Sequence, residues 1–282
     1  MFFLYQLIIG LIFYLCFPVL LLVVLITGKH RSGVGERLGV TSPVLPAVPE
    51  GKRVWIHAAS IGEVNAARII INHLRSQVPG ISFIITTMTI HGRDYCRTKV
   101  GPDIPCFLAP LDVPLIIDRV VNRFKPDVYV CLETELWPFA IMKIKQSGAA
   151  VVMLNGRISD KSIDGYQRIR FLMKPVVRCF DAIGVIGDVD SERFKMLGAE
   201  PENLCITGNI KNSALLPDDH LQIEDTCRQL LQIDDKTDVF IAGSTHDPEE
   251  TVLLPLYERI GRKYNHLWCI APRHLERLDQ VK

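Results

Sequence analysis

An α/β fold built on a parallel sheet is what this 282-residue sequence predicts, and three observations predict it. Short apolar runs rich in Val and Ile alternate along the chain with longer amphipathic stretches. The runs are continuous rather than alternating in polarity, so both faces of the sheet must be covered by helices. Charged and reactive side chains collect just after the runs, at the strand ends where open parallel sheets hold ligands.

The first series of strands is expected at 53–59 (RVWIHAA), 81–87 (ISFIITT), 126–133 (PDVYVCLE), 150–156 (AVVMLNG), 181–187 (DAIGVIG) and 204–210 (LCITGNI). Helices are expected between them near 62–78, 91–99, 113–124, 136–147, 159–179 and 189–197. Together they predict one complete Rossmann-like domain over 29–212. After the polar stretch LPDDHLQIED comes a shorter series: a strand at 238–244, a helix near 247–264 and a strand at 266–272. Two strands and their helices cannot bury a full core. Residues 213–282 therefore read as the first part of a second, truncated Rossmann-like domain.

Residues 1–28 carry no charged side chain. As a helix they would extend about 42 Å, more than the roughly 30 Å of bilayer hydrocarbon. A signal peptide fits poorly, because no Lys or Arg precedes the run and no small-residue cleavage site follows it. A membrane-anchor helix is the expectation. Lys29, His30, Arg31 and Arg37 follow closely, which puts the remaining chain on the cytoplasmic side. Pro18 leaves a tilted span and a helix lying in one leaflet both open.

Composition narrows the rest. With 32 Lys+Arg against 31 Asp+Glu, no global field argues for nucleic acid. The eight cysteines form no C-x-x-C pair, and several sit in apolar runs, as reduced thiols do. His57, His246 and His274 lack metal-ligand spacing. No metal and no cofactor is expected.

Each strand end offers a structural and a chemical reading. Ser60, Gly62 and Glu63 follow the first strand: Glu63 is either a helix-capping acid or a general base at the ligand edge. Glu133 and Glu135 end a very apolar strand, where unpartnered carboxylates are costly. One could cap the next helix and the other meet a Lys or Arg. Arg157 and Lys211 follow two further strands and suit a phosphate or carboxylate, or simply face solvent. Ser244, Thr245 and His246 open a helix whose first N–H groups either bind an anion or are capped. Pro272, Arg273 and His274 close the last strand, meeting a nucleotide phosphate or starting a helix.

The ordered set HAASIGE, TTMT, ETELWP, NGRIS, GNIK, GSTHDPEE and APRH, behind an apolar N-terminus followed by GERLG, resembles the 3-deoxy-D-manno-octulosonic acid (Kdo) transferase family of lipopolysaccharide synthesis. The resemblance runs from the N-terminus to Arg273. It implies a GT-B fold and metal-independent, inverting transfer of Kdo from CMP-Kdo to a lipid A precursor at the cytoplasmic face of the inner membrane. It further implies Glu63 as the proton acceptor, Glu133 and Lys211 as transition-state stabilisers, and Pro272 and Arg273 as CMP contacts. Two other readings stand beside it. One is a GT-B glycosyltransferase using a UDP-sugar and a lipid acceptor, the other a membrane-anchored Rossmann-like module without catalysis.

Overall fold

The protein is described by a computed structural model covering residues 2–27, 33–40, 45, 51–101, 103–214, 220–234, 236–261, 266–274 and 277. It divides into two compact units, Met1–Leu215 and Leu216–Lys282.

The first unit opens with α1 (Phe2–Thr27), 26 residues without a charged side chain. The side chains at 2–6, 8, 20–25 and 27 lie outside the described residues. Among the described residues, no helix is long and apolar enough to cross a membrane. A single turn, α2 (Val34–Arg37), follows and overlaps the start of GERLG. The alternating series then runs β1 (Arg53–His57), α3 (Ile61–Gln77), β2 (Ser82–Thr87), α4 (Ile90–Lys99), β3 (Cys106–Leu108), α5 (Pro114–Phe124), β4 (Val128–Leu132) and α6 (Pro138–Gln146). It continues with β5 (Ala150–Gly156), α7 (Asp160–Arg168), α8 (Arg170–Val177), β6 (Ala182–Val185), α9 (Asp188–Leu197) and β7 (Leu204–Ile206).

The helices begin where local chemistry satisfies their free N–H groups. Ser60 caps α3 and Thr89 caps α4, while Pro114 and Pro138 open α5 and α6, where a missing N–H costs nothing. All seven strands are parallel, in the order β3-β2-β1-β4-β5-β6-β7. The chain steps outward from β1 to β2 and β3, then returns to β4 on the other side of β1. That reversal makes the β1/β4 boundary the switch point, where α/β sheets open a crevice at their carboxyl ends. Beneath it lies a tight core: Trp55 meets Phe124 and Tyr129 edge-on, with ring centroids 5.0 Å apart in each pair.

The second unit contains α10 (His220–Leu231), β8 (Asp238–Thr245), α11 (Glu249–Gly261) and β9 (His266–Pro272), with β8 and β9 paired in parallel.

Two expectations need correction, and two elements were not foreseen. The three-residue edge strand β3 was not foreseen, since Pro105 and Pro110 frame too short a run to show a period. The helix expected at 159–179 is two helices meeting at Ile169. The strand expected at 204–210 stops at Ile206, because Gly208 turns the chain with a positive φ of 74° into the 3-10 turn Ile210–Ala214. From His220 on, the polar stretch after the first unit is helical, as α10, which was not foreseen. The eight cysteines are free, and Cys96, Cys106 and Cys131 are buried.

Candidate active site

Glu63, Glu133 and Lys211 come together at the switch point. Glu63 sits in the first turn of α3 and is 5% exposed. Its Oε2 accepts from the Ala59 N–H at 2.8 Å and its Oε1 from the Ser60 hydroxyl at 2.9 Å. Ser60 accepts from the Glu63 N–H in return, so the structural reading of this acid as a capping partner holds. Burial raises the carboxyl pKa, the Ala59 and Ser60 bonds lower it, and the charges of Glu133 and Glu135 raise it again, with a net upward shift.

Glu133 follows β4 in the left-handed region, at φ 56°, a conformation that costs a non-glycine residue on the order of 1–3 kcal/mol. Its Oε1 accepts from Lys211 Nζ at 3.0 Å and its Oε2 from Arg157 Nη2 at 3.4 Å. Lys211 arrives from the turn after β7. Asn155 Oδ1 accepts from the Ile210 N–H at 3.1 Å, and Asn209 Oδ1 from the Lys211 N–H at 3.0 Å. A Cβ added at Gly62 would lie 3.5 Å from Lys211 Nζ, so the ammonium stands over the start of α3. Glu63, Glu133 and Lys211 thus share one edge.

Glu135 caps no helix. Its Oε2 accepts from the Trp137 indole N–H at 2.9 Å, and burial followed by the charge of Glu133 pushes its pKa up despite that bond. The first N–H groups of α6 are held instead by Asp112, whose oxygens accept from Phe139 at 3.1 Å and Ala140 at 2.8 Å. An open cleft of about 700 Å³ adjoins the cluster, lined among others by Glu133, Glu135, Arg157, Ser159, Tyr166 and Asn209. Burial and then the Glu135 charge raise the Tyr166 pKa.

Residues 32–214 match the family described as 3-deoxy-D-manno-octulosonic-acid transferase (kdotransferase). The chain belongs to this family. Among its relatives, the Kdo transferase of Haemophilus influenzae is 32% identical over 254 residues, covering 90% of this chain and 58% of that protein. The Kdo transferase of Chlamydia pneumoniae is 31% identical over 280 residues, covering 96% and 61%. A bifunctional glycosyltransferase/methyltransferase of Fusobacterium nucleatum is 32% identical over 257 residues, covering 90% and 39%. The chain therefore spans about three fifths or less of these relatives. Two solved structures share the fold. A UDP-GlcNAc 2-epimerase from Neisseria meningitidis has a TM-score of 0.58 at 14% identity, over 81% of this chain and 68% of that one. A glycosyltransferase from Rickettsia africae has a TM-score of 0.54 at 12% identity, over 83% and 64%. The parallel α/β architecture thus resembles that of GT-B glycosyltransferases.

In this member of the Kdo transferase family, the sequence-predicted residues fall into two groups. Ser60, Gly62, Glu63, Glu133, Arg157 and Lys211 meet in the first unit. In the second unit, Ser244 and Thr245 end β8 and His246 follows it, with Thr245 and Pro272 in register and the Arg273 N–H donating to the Thr245 carbonyl at 2.9 Å. There the His246 N–H donates to Glu249 Oε2 at 2.7 Å, which is a helix-capping contact. Among the described residues, no three His, Cys, Asp or Glu side chains are grouped as metal ligands would be. Asn155, Asp112 and Tyr166 were not foreseen. Only Asn155 carried a signal, since an Asn-Gly pair at the end of a strand favours a left-handed turn, and Asn155 has a φ of 60°.

Proposed function

We propose that this chain carries the acceptor-activating half of a Kdo transferase, which moves Kdo from CMP-Kdo to a lipid A precursor. The observation behind the proposal is the convergence of Glu63, Glu133 and Lys211 at the β1/β4 switch point. A sugar hydroxyl is a weak nucleophile. Glu63, with its pKa raised by burial, takes the hydroxyl proton as the oxygen bonds to the anomeric carbon of Kdo. The bond from that carbon to the CMP phosphate breaks, and the electron pair leaves on the phosphate. Positive charge developing at the anomeric carbon is offset by Glu133, and negative charge on the departing phosphate by Lys211. In the second unit, Pro272 and Arg273 serve as the CMP contacts, with Ser244, Thr245 and His246 at the same strand ends. Ser60 and Gly62 shape the acceptor side, and Arg157 steadies Glu133.

Residues 2–27, uncharged throughout, support attachment to the inner membrane, and the basic residues after them support a cytoplasmic body. Such a location brings the site to a lipid acceptor. The test is transfer of labelled Kdo from CMP-Kdo to tetra-acylated lipid A precursor in detergent micelles. Label should move from CMP-Kdo and not from UDP-sugars, and Glu63→Gln should stop it. Transfer from a UDP-sugar alone would assign another donor. Acceptor binding without any transfer would favour the non-catalytic module.

A further inference from the structure

The GERLG stretch has no part in the cleft, yet Arg37 within it leads to Glu63. Arg37 Nη2 donates to the Met88 carbonyl at 2.5 Å, and its Nη1 to the Ala109 carbonyl at 3.5 Å. Its own carbonyl accepts from the Leu111 N–H at 3.0 Å. The Met88 N–H in turn donates to the Ala59 carbonyl at 3.2 Å, and the Ala59 N–H donates to Glu63 Oε2 at 2.8 Å. Three hydrogen bonds through two backbone residues thus join the guanidinium to the carboxylate.

The residue type suits the task. Met88 follows β2 and Ala109 follows β3, so one planar fork spans two separate loops, where an ammonium would serve one. The neighbouring Glu36 does different work. It accepts from the Leu108 N–H at 2.6 Å, closing the β3 edge, and from Arg93 at 2.8 Å. Neither contact touches the path to Glu63.

We propose that Arg37 is a positioning residue for Glu63: by fixing Met88 against the turn after β1, it keeps the Ala59 N–H on the carboxylate and so sets how basic that carboxylate is. This rests on Glu63 being the proton acceptor. Losing the Ala59 bond removes a contact that favours the ionised form, so the Glu63 pKa should rise.

The test is a carboxyl-carbon NMR titration of the full chain labelled at glutamate, with the Glu63 signal assigned from Glu63→Gln. Arg37→Ala should move the Glu63 midpoint up by about half a unit to one unit. Arg37→Lys should move it up by less, because one of the two carbonyls keeps a donor. Glu36→Gln, which loosens the β3 edge, should lower the melting temperature and leave the Glu63 midpoint in place. An unmoved midpoint in Arg37→Ala overturns the proposal, as does an equal upward shift in Glu36→Gln. If Arg37→Ala does not fold, Arg37→Met, which keeps the stem and removes both donors, takes its place, and an unmoved midpoint there overturns the proposal. The titration needs no transfer reaction. Full transfer by Glu63→Gln would therefore refute the base assignment while leaving the Arg37–Glu63 link standing.

Discussion

The two ends of the seven-stranded sheet treat their acids in opposite ways. At the amino end, Asp127 precedes β4 and accepts from the Arg53 N–H of β1 at 2.9 Å and from Lys52 at 3.2 Å. Asp181 precedes β6 and accepts from the Val151 N–H of β5 at 2.9 Å and from Lys145 at 2.5 Å. The Arg53 bond leads in holding the Asp127 pKa below its ordinary value. At Asp181, burial works upward but the Lys145 and Val151 bonds outweigh it. At the carboxyl end, burial and then the charge of Glu133 drive Glu63 and Glu135 the other way. The amino-end acids tie a neighbouring strand into register and are content to be charged. At the carboxyl end Glu63 is buried and Glu135 half-buried, and both feel the charge of Glu133, so each ionises less readily.

The sharpest way to break this contrast is Glu63→Gln. Kdo transfer should fall roughly 10²–10⁴-fold with the fold intact, and retention of more than about a tenth of the rate would count against the base. Next in size, Glu133→Gln should slow transfer by about 10²–10³-fold, because it weakens an electrostatic partner of the reacting centre and loosens Lys211 and Arg157.

A third test uses Asp112 and His57, which line one small cavity behind the carboxyl edge. Burial raises Asp112 to about 6 and lowers His57 to about 4. Between roughly pH 4 and 6, the folded protein binds a proton at Asp112 that the unfolded chain lacks, so this acid favours folding as pH falls. His57 acts in reverse, since the unfolded chain is protonated there and the folded protein is not. The two slopes offset each other in the wild type. Asp112→Asn leaves the His57 slope alone, so its stability should fall more steeply than wild type as pH drops from 6.5 to 4, by up to about 3 kcal/mol. Urea midpoints across that range would show it, and parallel profiles would refute it. Smallest of all, Asp127→Asn should lower Tm by no more than roughly 2–4 °C while transfer kinetics stay unchanged.

Much of this was legible in the sequence, for physical reasons that differ by element. Strands such as Val128–Leu132 announce themselves because burial on both faces demands unbroken apolar runs. The helix starts at Ser60 and Pro138 announce themselves through capping chemistry. The members of the Glu63, Glu133 and Lys211 cluster stand out because they follow strand ends, where a parallel sheet opens its crevice. What escaped notice depends on tertiary contact. Nothing near Asp112 in sequence says that it holds the first N–H groups of α6, and nothing near Arg37 says that it reaches Met88. Cys106–Leu108 is too short to show a period, and the split at Ile169 interrupts a pattern that reads as continuous. Glu63 caps α3 and also feels the charges of Glu133 and Glu135, so a capping contact does not exclude a residue from the cluster.

The most direct test of a single working cluster is a double-mutant cycle on the transfer rate with Glu133→Gln, Lys211→Met and both together. If these side chains act as one unit, the double variant should be only a few-fold slower than the slower single variant. Losses that multiply would mean that Glu133 and Lys211 act independently, and that their 3.0 Å contact has no part in the chemistry.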